Sequence, residues 1–264
     1  MARLTCGYVD GEWGQIHYRT SGESGPAVAL FHESPLSSVV WERVLPLLGE
    51  RVRAFAFDTP GYGASAPPPD RDREIPDFAR ALRGAIDALG LERPILGGVH
   101  TGASLAIAAS ALGTGASGLV LTGIPLYSPE ERVVCLRDYT PAIPIDDEGA
   151  QFAWAVERYR RIWGPNIPVD LLHLAVTELM RVAPRYDWAY QAAFRYDPAS
   201  LLAAFEGPVL LLDSEFDSLA DKDALALELA RDATLSVLPG LPGQPHLREP
   251  RTYADAVFAF LDRL

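Results

Sequence analysis

The chain has 264 residues, 48% of them hydrophobic, which is enough to bury a sizeable core and suits one large α/β domain better than two small ones. Moderate charge and plentiful aromatics exclude wholesale disorder. A net charge of -12 argues against nucleic-acid and membrane-surface partners, because phosphate backbones and anionic lipids repel an acidic chain.

Short apolar runs alternate with longer amphipathic segments. Residues 15–18 form an early strand, and Ala27–Phe31 (AVALF) reads as a buried one. Residues 38–48 carry helical spacing, and 52–57 return to strand. The spacing over 75–89 predicts a helix with Phe78, Leu82, Ile86 and Leu89 on one stripe. Strand 94–99 and helix 103–112 follow, then strands at Gly118–Thr122, 209–212 and 235–238, and a terminal helix over 253–261. Strand alternating with helix implies a mostly parallel sheet covered on both faces.

The alternation stops near Pro125 and resumes near Pro208. The stretch between is helical in pattern and rich in Trp and Tyr, as expected of a helical cap inserted into the same domain. The core is then 1–126 with 208–264, and the cap 127–207. Most of the cap aromatics pack against the body. Trp154, Tyr159 and Trp188 are the candidates to line a substrate pocket.

Residues 1–14 show no basic segment followed by an apolar run, so no leader is expected there. No apolar stretch reaches the roughly 20 residues that span a bilayer. Cys6 and Cys135 lack metal-ligand spacing and read as two reduced thiols, so the expected compartment is the cytoplasm.

The chemistry concentrates in 96–109, LGGVHTGASLAIAA. A strand runs into Gly98-Val99-His100-Thr101-Gly102 and a helix follows at once. Flanking glycines permit a sharp strand-to-helix turn that presents the central side chain beside a helix N-terminus. The segment resembles the nucleophile elbow G-x-S-x-G of the α/β-hydrolase superfamily, with His100 where that family has serine. Four further segments resemble the same family in its own order. Phe31-His32-Glu33-Ser34-Pro35 resembles the H-G-x-P oxyanion loop, and 58–65 (DTPGYGAS) the D-x-P-G-x-G-x-S turn. Residues 210–217 (LLLDSEFD) resemble the acid-bearing strand and turn. Pro245-His246-Leu247 before Glu249-Pro250 resembles the loop of the base. The resemblance covers nearly the whole chain outside the cap and implies the α/β-hydrolase fold: a mostly parallel eight-stranded sheet flanked by helices.

It further implies Asp217 as the acid and His246 as the base that Asp217 orients, with Asp213 a weaker candidate for the acid. Backbone N–H groups of Ser34 and Thr101 would form the oxyanion hole. His32 and Glu33 would border the substrate, although a histidine after a buried strand more often serves structure. Asp58 reads as a turn-stabilising acceptor, and His173 as a packed or solvent-facing residue.

Two departures matter. Without the serine oxygen, the acyl-enzyme route of a serine esterase is closed at this position. Glu33 stands where glycine is usual and would oppose charge developing in an oxyanion hole unless it points away or is protonated. A neutral His100 would be nucleophile or general base, with His246 as second acid/base. Imidazoles and carboxylates at one sheet edge also suit a metal, but their spacing is no metal signature, and none is expected. No dinucleotide or phosphate loop is present, so no organic cofactor is implied. The expected enzyme acts on a small apolar or aromatic carbonyl compound: an ester, a lactone or a C–C bond. A lyase-type acid/base enzyme and a ligand-binding protein without turnover are the alternatives. A small molecule is the expected partner, and dimerisation is left open.

Overall fold

A computed structural model describes residues 2–113 and 115–264. Met1, the first residue of the stretch read for a leader, lies outside them.

The chain opens with an antiparallel hairpin, β1 (Leu4–Gly11) and β2 (Gly14–Ser21). The sheet is then built from β3 (Ala27–Phe31), β4 (Arg53–Phe57), β5 (Ile95–Val99), β6 (Gly118–Thr122), β7 (Val209–Ser214) and β8 (Ala233–Leu238). Its order is β1-β2-β4-β3-β5-β6-β7-β8. Among the described residues, only the β1–β2 and β2–β4 pairings are antiparallel. Every residue of β3, β5, β6 and β7 is buried, which explains why they read as continuous apolar runs. The eight-stranded, mostly parallel sheet flanked by helices agrees with the expected fold.

Helices α1 (Leu45–Leu48), α2 (Ile75–Ala88) and α3 (Thr101–Ser110) connect the central strands. Five more lie between β6 and β7: α4 (Pro129–Asp138), α5 (Ala150–Ile162), α6 (Val169–Arg181), α7 (Trp188–Arg195) and α8 (Ala199–Ala204). Then follow α9 (Asp223–Leu229), α10 (Pro245–Arg248) and α11 (Pro250–Leu261). α2 buries Phe78, Leu82 and Ile86, as the stripe predicts, and reciprocal Glu74 and Asp77 contacts cap its start. α3 is buried all round, which its Gly, Ala and Ser residues allow by keeping it thin.

Two segments differ from expectation. The edge strand β1 was missed because its burial alternates and it holds no apolar run. The helix expected over 38–48 is broken into a 3₁₀ turn (Ser38–Trp41) and the single turn of α1 (Leu45–Leu48), which holds Pro46 in its first turn.

Cys6 and Cys135 are free thiols. No helix among the described residues is long and apolar enough to cross a membrane.

Candidate active site

The turn from β5 into α3 places His100 at φ 49° and ψ −110°, a strained conformation that costs on the order of 1–3 kcal/mol. Neighbouring glycines make it possible. A Cβ on Gly98 would lie 2.2 Å from the Gly102 carbonyl, and one on Gly102 would lie 2.2 Å from the Phe31 oxygen. The Thr122 carbonyl accepts from the His100 N–H at 2.9 Å, tying the elbow to β6.

The loop after β3 is held by His32. The Thr59 N–H donates to its Nε2 at 2.9 Å, so Nδ1 carries the proton and donates to the Glu33 carbonyl at 2.9 Å. Both ring nitrogens are thereby used. His32 is buried and absent from the cavity wall, which corrects its assignment as a substrate contact. Asp58 accepts from the Ser38 and Ala64 N–H groups and pairs with His17 Nδ1. Burial opposes its charge, but these partners hold the carboxyl at about 2. It anchors the turn, as the sequence predicts.

Asp217 does not pair with His246. His100 Nε2 lies 2.9 Å from Asp217 Oδ1 and 3.1 Å from Oδ2. An imidazole reaches further from the elbow than a serine oxygen would, and its Nε2 fills the position facing the acid. Gly123 makes room: a Cβ there would sit 2.4 Å from His100 Cδ2. Asp217 also accepts from the Leu219 N–H at 2.9 Å. Asp213 instead accepts from the backbone of Ser214 and Gly123.

The charge on His100 differs from expectation in turn. Burial disfavours the imidazolium, but the charge and hydrogen bond of Asp217, with Glu33 and Asp213 beyond, push its pKa up to about 9. His100 is therefore protonated at neutral pH and is neither nucleophile nor base in that state. Reciprocally, burial opposes ionisation of Asp217, but the His100 charge keeps its carboxyl below the ordinary range.

His246 is fully buried, its ring 4.6 Å from that of Trp41, and neither nitrogen has a hydrogen-bond partner among the described residues. Burial and the nearby His100 charge push it down to about 3, so it is neutral. Its Nε2 lies 3.6 Å from Glu33 Oε1. Glu33 is 4% exposed, and both carboxyl oxygens are buried without a hydrogen-bond partner among the described residues. Burial raises its pKa to about 7, against the weaker pull of its own backbone N–H and of His100.

A cavity of about 50 Å³ lies at the carboxyl edge of the sheet. Glu33, Ser34, His100 and Thr101 line its core side, and Tyr127, Tyr139, Tyr159 and Tyr190 line its helical side. The cavity is smaller than the roughly 300–1,000 Å³ of most small-molecule sites. Ser34 and Thr101, the candidates for the oxyanion hole, line the cavity, as does Tyr159. Trp154 and Trp188 do not line it, which corrects their assignment. Trp154 packs edge-on against Tyr186, and Trp188 opens α7 half-buried. Tyr127, Tyr139 and Gln244 line the cavity without having been singled out, since no local signal separates a lining tyrosine from a packing one. Among the described residues, no group of three or more His, Cys, Asp or Glu is placed to hold a metal ion.

Haloalkane dehalogenase 2 of Mycobacterium bovis is 32% identical over 101 residues, 38% of this chain and 35% of that protein. The 2-hydroxy-6-oxononadienedioate/2-hydroxy-6-oxononatrienedioate hydrolase 2 of Pseudomonas putida is 35% identical over 98 residues, 36% of this chain and 34% of that protein. The chain thus spans about a third of the length of the curated relatives it matches. A thermophilic esterase from Thermogutta terrifontis superposes with a TM-score of 0.79 at 20% identity, covering 98% of both chains, and so shares the fold. The family model described as alpha/beta hydrolase fold matches residues 26–161, which run from β3 through the elbow into α5, and the chain belongs to that family.

Proposed function

We propose that this chain is a hydrolase that acts by acid/base catalysis on a small apolar or aromatic carbonyl compound, without an acyl-enzyme. One observation carries the reading: an unpartnered buried carboxyl, Glu33, shares a cavity with a charged imidazole, His100, at the position where the family places its nucleophile.

Each group then has one task. Ionised Glu33 takes a proton from water, and the resulting hydroxide equivalent attacks the carbonyl carbon. Backbone N–H groups of Ser34 and Thr101 stabilise the oxyanion. The His100 imidazolium, held by Asp217, gives its proton to the leaving oxygen as the bond to carbon breaks. Glu33 returns its proton to His100 through solvent, and the products are acid and alcohol. His246 acts on Glu33 as a positioning residue. The helical segment 127–207 serves as the cap that walls the cavity.

A lyase-type proton transfer is a second reading, favoured by the imidazole that replaces a hydroxyl at the elbow. The two are separated by turnover of activated aryl esters in ¹⁸O-water after chelator treatment. We expect one ¹⁸O in the acid product, no acyl adduct by intact mass, and losses of about 100-fold or more in His100→Gln and Glu33→Gln. An acyl adduct, or full activity in either variant, overturns the mechanism. No turnover by the wild type overturns ester hydrolysis in favour of proton transfer.

A further inference from the structure

Arg158 is a second cationic centre, and the proposed chemistry leaves it unused. It lies on α5 and is 3% exposed. No carboxylate pairs with it among the described residues, although the chain holds 35 acidic residues against 23 basic ones. Its Nη1 donates to the Tyr139 carbonyl at 3.0 Å, while Nε and Nη2 are buried without a hydrogen-bond partner among the described residues. Four rings box the guanidinium: Tyr139 at 5.3 Å, Trp154 at 5.5 Å, Tyr186 at 5.8 Å and Tyr190 at 5.9 Å.

Ring faces attract a cation but carry no net charge, so a buried guanidinium with unmatched donors keeps an unmet demand for an anion. Two of these rings, Tyr139 and Tyr190, also wall the cavity. Tyr159, next in the chain, lines it too and has a buried, unpartnered hydroxyl. One layer of phenols therefore separates the cation from the cavity, on the side facing His100 and Glu33. A ligand that displaces these phenols would reach the guanidinium.

We propose that the cavity takes a carbonyl compound that also bears a carboxylate, with the carboxylate held by Arg158 and the hydroxyls of Tyr139, Tyr159 and Tyr190. The carbonyl end then meets His100 and Glu33. This deepens the hydrolase reading and rests on it for the placement of the carbonyl, but the anion subsite is read by binding alone.

Benzoate and benzamide, alike in shape and different in charge, are the probes, titrated calorimetrically at pH 8. Wild type is expected to bind benzoate at least tenfold more tightly than benzamide. Arg158→Met is expected to bring the two within about twofold, Arg158→Lys to keep an intermediate preference, and His100→Gln to keep the full one. Equal binding by wild type overturns the proposal, as does a preference that survives in Arg158→Met. A preference lost in His100→Gln overturns it too, because the anion then sits on the imidazolium. Should Arg158→Met not fold, wild type, Arg158→Lys and His100→Gln still decide. Benzoate discrimination without ester turnover sinks the hydrolase reading alone, and turnover without discrimination sinks the anion subsite alone.

Discussion

His100 Nε2 lies 2.9 Å from Asp217 Oδ1, so the residue at the elbow, not His246, is the partner of the acid. One imidazole therefore bridges the elbow and the acid, and His246 is left as a neutral ring packed near Trp41 and Tyr253. Asp217→Asn removes the charge that holds the His100 proton. The His100 pKa is expected to fall from about 9 toward its ordinary 6.5, by at least one unit or about 1.4 kcal/mol. Imidazole NMR titration of wild type and variant checks this, and an unchanged value near 9 would show that another group holds the proton.

The active form pairs ionised Glu33 with protonated His100. Their pKa values of about 7 and about 9 predict a bell-shaped kcat/KM profile between those limits. Activity is lost below the bell as Glu33 gains its proton and above it as His100 loses one. Glu33→Gln is expected to abolish the acid limb and to lower turnover by about 10²–10⁴. A flat profile through pH 7 in wild type counts against Glu33 as the base.

Stability follows the same groups. His100 is raised from 6.5 to about 9 in the folded chain, so its contribution is whole below pH 6.5 and disappears as pH rises through 9. Glu33 is raised from 4.5 to about 7, so folding gains from its proton below 4.5 and loses that gain as pH rises through 7. Urea midpoints are expected to fall from pH 5 to pH 10, with the lower part of that fall missing in Glu33→Gln. A midpoint that rises over this range contradicts both assignments.

Gly123→Ala tests the space beside the elbow. The new Cβ would lie 2.6 Å from His100 Nε2 and 3.1 Å from Asp217 Oδ1, at φ +57°. We expect a displaced imidazole, a lowered His100 pKa and turnover reduced about as far as in His100→Gln, with stability lower by about 1–3 kcal/mol. A crystal structure of the variant with the 2.9 Å contact intact would refute this.

His246→Ala empties a fully buried site against Trp41 and Tyr253 and frees Glu33 from its 3.6 Å neighbour. A loss of about 2–4 kcal/mol in denaturant unfolding is expected, with part recovered by His246→Gln. His100→Ser, by contrast, is not expected to yield an efficient serine esterase, since His246 has no hydrogen bond to Asp217 and no nitrogen poised by the acid. A pre-steady-state burst from that variant would show otherwise.

Much of the fold is legible because its determinants are local. AVALF at Ala27–Phe31 and GLVLT at Gly118–Thr122 are strands within their expected bounds, since an all-buried strand announces itself as an unbroken apolar run. The elbow is legible for a steric reason: only glycine fits at 98 and 102. The half-exposed β1 carries no such run, and Trp154 and Trp188 cannot be told from Tyr127 and Tyr139 before helix rotation decides which side chains face the cavity.

The buried strands, the elbow and the candidates Glu33, His100, Asp217 and His246 are legible along the chain, because backbone sterics and burial patterns are written in neighbouring residues. Which of them pair, and which carry protons, is set by the folded chain. His100 and Asp217 are 117 positions apart, and a pKa depends on burial and on charges a few ångströms away in space.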